Sequence, residues 1–247
     1  MNSRQALIAA ILCCPSVCGS QELDVIPLKS EPHHHLALHN EYVNVYSVQV
    51  SPHDSVRLHK HDADAISIVM SDSEITVRAP GKPDSHQRVV NGQLRLQSAG
   101  YVHSTSIDGD TPYRNITVEL LAAQKSRRNL CATVIADQPM NCPEPSDHSD
   151  GRGRSEQPQF QTDETNVTLI RILPRQSTAL QAPGVPQLLV VLDDVSTASN
   201  GSSPGRILGT GDFLWRDPNG APEIFTNHGA KEVRLVAFAF QRQESAK

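Results

Sequence analysis

Aromatic residues are scarce in this 247-residue chain: five Phe, four Tyr and one Trp make up 4% of it. With 17 Pro and 14 Gly, that scarcity argues against a long-helix bundle and for many short elements joined by turns. An excess of positive charge is absent too. Twenty-two Lys and Arg stand against 27 Asp and Glu, a net charge of −5. This excludes the basic face of a nucleic-acid binder and the polybasic surface that clings to anionic lipid. Beyond the first 20 residues no stretch approaches the roughly 18 apolar residues of a membrane span. There is no phosphate loop and no Gly-X-Ser-X-Gly elbow.

What is present begins at the N-terminus. Arg4 supplies a short positive start, residues 6–14 form a nearly unbroken apolar run, and Val17-Cys18-Gly19-Ser20 offers small residues for cleavage. This is the three-part pattern of a secretory signal peptide over residues 1–20, which implies a secreted or periplasmic protein. A lipid anchor on Cys13, Cys14 or Cys18 ranks second, because none follows the apolar-then-small residues such an anchor uses. The signal peptide removes three of the five cysteines. Cys131 and Cys142 remain, and in an oxidising compartment they pair as a disulfide that pins a local loop.

The segment from Val43 to Leu121 reads as successive short strands. Tyr46, Val48 and Val50 alternate with polar residues, as do Val56 and Leu58, Leu94 and Leu96, and Ile116, Val118 and Leu120. Pro80-Gly81, Asn91-Gly92 and Asp108-Gly109 punctuate them. Regular short strands with such turns predict a β-sandwich or barrel. Residues 124–163 are polar and rich in Pro and Gly, and read as a linker or long loop. Strands resume at 167–173, 187–192, 213–215 and 233–240. A shift of 122 residues lays 45–52 over 167–174, and a shift of 119 lays Gly92 on Gly211. The repeat predicts two similar halves, each a small barrel lined by Val, Ile and Leu.

Eleven His are present, and their placement matters more than their number. His59 and His61 sit two apart on a predicted strand, so they share a face and can grip one metal ion. His103, after the turn at Gly100, is the candidate third donor. Arg57 shares the alternation of His59 and would present a guanidinium to a substrate carboxylate. Tyr113 is a second candidate for substrate binding and, like Tyr101, a candidate for packing in the barrel wall. His33, His34 and His35 lie beside Pro32 and read as a mobile segment.

Residues 40–121 resemble a cupin domain, the double-stranded β-helix or jelly-roll barrel. His59 and His61 match the paired histidines of its first motif; Gly92, Gly100 and His103 match its second. Four positions depart from the pattern. His53 stands where the first Gly would be, Ala65 or Ile66 where the Glu ligand would be, Ser98 replaces the Pro, and Ile107 the Asn. Asp64 is near, but alternation aims it at the opposite face. The resemblance therefore implies a three-His site, as in the thiol dioxygenase branch, holding a divalent metal ion: Fe, Mn, Zn, Ni or Cu. In the second half the shifts place Gln181, Pro183, Pro186 and Pro222 at the ligand positions, and none is a usual metal donor.

The expected organisation is all-β: a signal peptide (1–20), an N-terminal cupin domain with the metal site (21–123), a linker (124–163) and a degenerate cupin-like half (164–247). Two functions fit. One is a metal-dependent, dioxygenase-like enzyme acting on a small organic substrate. The other is a non-catalytic small-molecule-binding or structural cupin. The expected partner is a small-molecule ligand, with no nucleic acid and no membrane span, and a homodimer is the assembly considered.

Overall fold

The computed structural model describes residues 24–142, 153–199 and 205–241. The expected signal peptide lies outside them. Apart from one 3-10 turn at Leu28–Ser30, every described element is a strand.

The first half contains β1 (Ile26–Pro27), β2 (His34–His39), β3 (Val43–Val50), β4 (Ser55–Lys60) and β5 (Asp64–Val69). It continues with β6 (Ser73–Arg78), β7 (Ser85–Val89), β8 (Leu94–Gln97), β9 (Val102–Ile107) and β10 (Tyr113–Leu120). These form two five-stranded sheets, ordered β1-β4-β9-β6-β7 and β2-β3-β10-β5-β8. All neighbours are antiparallel except β1, which runs parallel to β4. The second half contains β11 (Arg128–Asn129), β12 (Arg154–Gln161), β13 (Thr165–Ile172), β14 (Ser177–Leu180) and β15 (Gln187–Val191). It closes with β16 (Val195–Ser199), β17 (Arg206–Leu208), β18 (Phe213–Arg216), β19 (Glu223–Thr226) and β20 (Val233–Phe240). Its sheets are ordered β11-β12-β13-β20-β15-β18 and β14-β19-β16-β17. Each half is a jelly-roll barrel, and the chain has the cupin β-barrel architecture.

The repeat in the sequence is a repeat of strands: β3 starts at Val43 and β13 at Thr165, 122 residues on. The contact between the barrels is reciprocal. A Cβ on Gly92 would meet Arg234, and one on Gly211 would meet Arg114. Both glycines have φ near +92° (91 and 93), a left-handed conformation that glycine adopts without strain.

The stretch expected as a linker is partly sheet. Arg154–Gln161 pairs with β13 from Arg154↔Ile172 to Gln161↔Asn166. Its sequence shows little alternation, because Pro158 sits at a register shift beside the buried Phe160. Backbone pairing rather than an apolar face defines this strand.

The expectation that Val, Ile and Leu line the barrels holds only in part. The largest core cluster lies between the barrels, where Ile66, Ile68, Leu94, Ile116 and Val118 of one sheet meet Phe160, Leu188, Val190 and Phe238 of the other. Alternation then turns the opposite face of the same strands inward. On β8 the apolar Leu94 and Leu96 pack in or against the interface, so Arg95 and Gln97 face the barrel interior. The interior of the first barrel is consequently polar at one end and apolar at the other, where Val50, Val56, Ile75 and Ile107 cluster.

Candidate metal centre

Two histidines meet by strand register. β4 pairs with β9 so that His59 stands opposite His103. His61 follows one residue beyond β4, held by its N–H to the Tyr101 carbonyl (3.0 Å), while its own carbonyl accepts from the Gly100 N–H (2.7 Å). Gly100 has φ +84°, which explains the glycine at this turn. His53, in place of the motif's first glycine, keeps the left-handed backbone with φ 61°.

The register of β4 shifts between Val56 and His59. This bulge changes the alternation by one residue, so Val56 and His59 both face inward. Arg57 is thereby turned out of the barrel, contrary to strict alternation. It is exposed and pairs with Asp24 at 2.8 Å. The Arg57 guanidinium is therefore outside the site.

His59, His61 and His103 each offer a ring nitrogen within 4.8 Å of the others. Nδ1 of His59 lies 2.8 Å from the Arg57 carbonyl oxygen, which holds its proton and leaves Nε2 as a lone pair. That buried Nε2 has no partner, nor does Nδ1 of His61. Nε2 of His61 and Nε2 of His103 approach to 3.1 Å. Burial pushes His59 down to about 4 and His61 down to about 3. It also holds His103 well below its usual value. Three neutral imidazoles with ring nitrogens this close together, two of the rings carrying an unpartnered nitrogen, suit a divalent metal ion; no feature of the donor set selects which one.

The stretch expected to be mobile is in part a strand, and it brings a fourth histidine to the centre. His34 begins β2, its side chain is 6% exposed, and its ring lies 4.9 Å from that of His59. Nδ1 is 2.7 Å from Oε2 of the buried Glu31. Burial alone would raise the Glu31 carboxyl, but hydrogen bonds with His34 and His33 outweigh it and bring it to about 2. The pair Glu31–His34 thus forms one fixed wall of the centre. Its only sequence signal was the run of three histidines beside Glu31.

A cavity of ≈ 30 Å³ lies at the centre, lined by His34, His59, His61 and His103 together with Ser67 and Asn115, among others. It has room for about one ion or water. No carboxylate lines it, so no residue replaces the missing Glu. Asp64 is buried elsewhere: it pairs with Arg127 at 2.6 Å and accepts the N–H groups of Ala99 and Gln124. Ala65 is interior and Ile66 belongs to the inter-barrel core.

His103, Thr105, Gln97 and Tyr113 also line a second cavity of ≈ 770 Å³. Tyr113, 7% exposed, is a wall residue of both spaces. Tyr101 stacks on His103 at 4.8 Å. Arg95, which the sequence reading passed over, lines the larger space as well. Its signal was the Leu94–Leu96 alternation, once the apolar side is recognised as the outer one. Thr133, Val134 and Ala136 complete part of the wall, on the loop closed by the Cys131–Cys142 disulfide. Asn129 holds this loop, donating to the Ile135 and Gln138 carbonyls and accepting from the Val134 and Ile135 N–H groups.

Among the described residues the second barrel has no such centre, and no other cluster of three donors occurs. The register is one residue from that expected. Ser55↔Ser106 corresponds to Ser177↔Thr226, so Glu223 rather than Pro222 answers to His103. Glu223 accepts from Thr197 at 3.0 Å. The buried Arg216 donates to the Leu180 and Gln181 carbonyls and to Gln187. Internal partners occupy these groups.

No protein-family model and no curated protein matches the chain. Solved structures do. AerE from Microcystis aeruginosa matches with a TM-score of 0.54 at 11% identity, over 86% of this chain and 99% of that one. Salicylate 1,2-dioxygenase from Pseudaminobacter salicylatoxidans matches at 0.54 and 13%, over 83% and 76%. A Cupin 2 conserved barrel domain protein from Leptotrichia buccalis matches at 0.51 and 12%, over 84% and 88%. At these identities the likeness is one of fold.

Proposed function

For this chain of cupin fold, we propose a metal-dependent enzyme of the oxygenase type. It holds one divalent ion through His59, His61 and His103 and acts on a small organic molecule in the cavity beside His103. The observation that carries this reading is the meeting of three buried imidazoles, with one ring nitrogen of each within 4.8 Å of the others, beside a ≈ 770 Å³ space, a volume suited to a small ligand. A salicylate dioxygenase among the proteins of like fold agrees with it.

A bound ion with open positions would coordinate substrate or dioxygen, or acidify a bound water. The protein supplies the rest. The Arg57 carbonyl fixes the His59 tautomer, and Glu31 fixes the His34 ring beside it, so the donors are set before any ligand arrives. Tyr101 and Tyr113 wall the substrate space. The disulfide-closed loop bounds it and agrees with a secreted or periplasmic location.

The test is dioxygen consumption by tag-free protein reconstituted with Fe(II), across a panel of thiols, phenols and diketones. The account expects uptake with one class and none after His103→Ala. A metal-loaded protein that consumes no dioxygen with any class would contradict it. A non-catalytic cupin is the second reading, favoured by the second barrel, which keeps its fold with its interior donors internally bonded.

A further inference from the structure

The larger cavity has an unusual charge balance. The chain carries a net charge of −5, yet no Asp or Glu lines this space, while Arg95 and Lys82 both do. Lys82 lies at 6.0 Å over the Tyr101 ring. Arg95 is partly buried, and among the described residues no ion pair or hydrogen bond reaches its guanidinium; its electrostatic neighbours are Tyr113 and Tyr101. The buried Gln87 Oε1 in the same wall also lacks a partner, and a cation partly withdrawn from water without a counter-ion is a cost to the empty protein. Position explains why it is held there. Leu94 and Leu96 commit their face of β8 to the inter-barrel core, so Arg95 must point into the cavity.

We infer that the substrate is a small organic carboxylate and that the Arg95 guanidinium pairs with its two oxygens. The inference rests on the proposal that the cavity beside His103 is the substrate site. A planar guanidinium matches both oxygens of a carboxylate at once. A single arginine with one lysine at hand, and no backbone cradle of N–H groups, suits a carboxylate better than a phosphate. Arg95 is a positioning and specificity residue: it holds the anionic end of the molecule while the remainder extends past Tyr101 and Tyr113 toward His103.

Calorimetric titration separates this from attraction by the metal, because it is run on metal-stripped protein and on His59→Ala protein. The probes are benzoate, benzamide and phenyl phosphate, with hexanoate and hexanamide as an aliphatic pair. Each carboxylate is expected to bind about tenfold tighter than its amide, and benzoate tighter than phenyl phosphate. Arg95→Gln and Arg95→Met should erase that preference while the melting temperature holds or rises, since each removes an uncompensated cation. Equal binding of acid and amide, tighter binding of phenyl phosphate, or a preference surviving both variants would overturn the inference. So would unfolding of both variants, which would make Arg95 a structural residue. If only the metal reading fails, metal-loaded and metal-stripped protein bind benzoate alike and the difference between acid and amide remains.

Discussion

His59 on β4 and His103 on β9 face each other across one ladder, their ring centroids 4.5 Å apart. Backbone pairing therefore sets the distance between two donors, and His61, tied to Tyr101 and Gly100, brings the third. Two donors stand on paired strands and the third is held by backbone hydrogen bonds to the Gly100 turn, so the site is formed before an ion binds.

Acid should destabilise the metal-free protein. Burial puts His59 near 4 and His61 near 3 in the folded state, against about 6.5 when unfolded. The unfolded chain then binds more protons in that interval, so stability is full above about pH 6.5 and is lost as the pH falls toward 4. Urea midpoints should decline steadily between those values, and less steeply in His59→Gln. A midpoint independent of pH would contradict this.

Asp64→Ala should cost about 3 kcal/mol, because it strands a charge-paired arginine and two backbone N–H groups. For a chain of this size that lowers Tm by roughly 6–12 °C. Thermal unfolding checks it, and a shift below about 2 °C would show the pair to be dispensable.

The barrels should unfold together. Phe238 is 0% exposed and belongs to the core shared by both, so Phe238→Ala should cost about 3–5 kcal/mol and move a single calorimetric transition. Two transitions, with only one displaced, would mean that the barrels are independent.

Reducing Cys131–Cys142 should lower stability by about 2–3 kcal/mol through the freed chain entropy of a short loop, while the bound metal stays. The loop walls the larger cavity, not the histidine centre. Denaturant midpoints and metal content, each with and without reductant, check both halves; metal lost on reduction would contradict the separation.

Much of this was legible in the sequence, and the failures share a cause. Strands β3 and β10 could be read from Tyr46, Val48, Val50 and Ile116, Val118, Leu120, because alternation survives wherever one face is dry. His59, His61 and His103 could be read because two lie two residues apart and the third follows a required glycine. Arg57 was misplaced because a bulge leaves no mark on alternation until the partner strand is known. Arg95 was passed over for a related reason. Apolar residues mark the driest face, and here that face lies between the barrels rather than inside them. Tertiary context decided both, and a single chain read in order does not contain it.

The most direct test is a Co(II) titration of tag-free apo-protein followed by its visible absorption. The account predicts saturation at one ion per chain, with the band abolished in His59→Ala and His103→Ala and retained in Arg57→Ala. No saturable band, or one indifferent to His59 and His103, would contradict a metal centre in the first barrel.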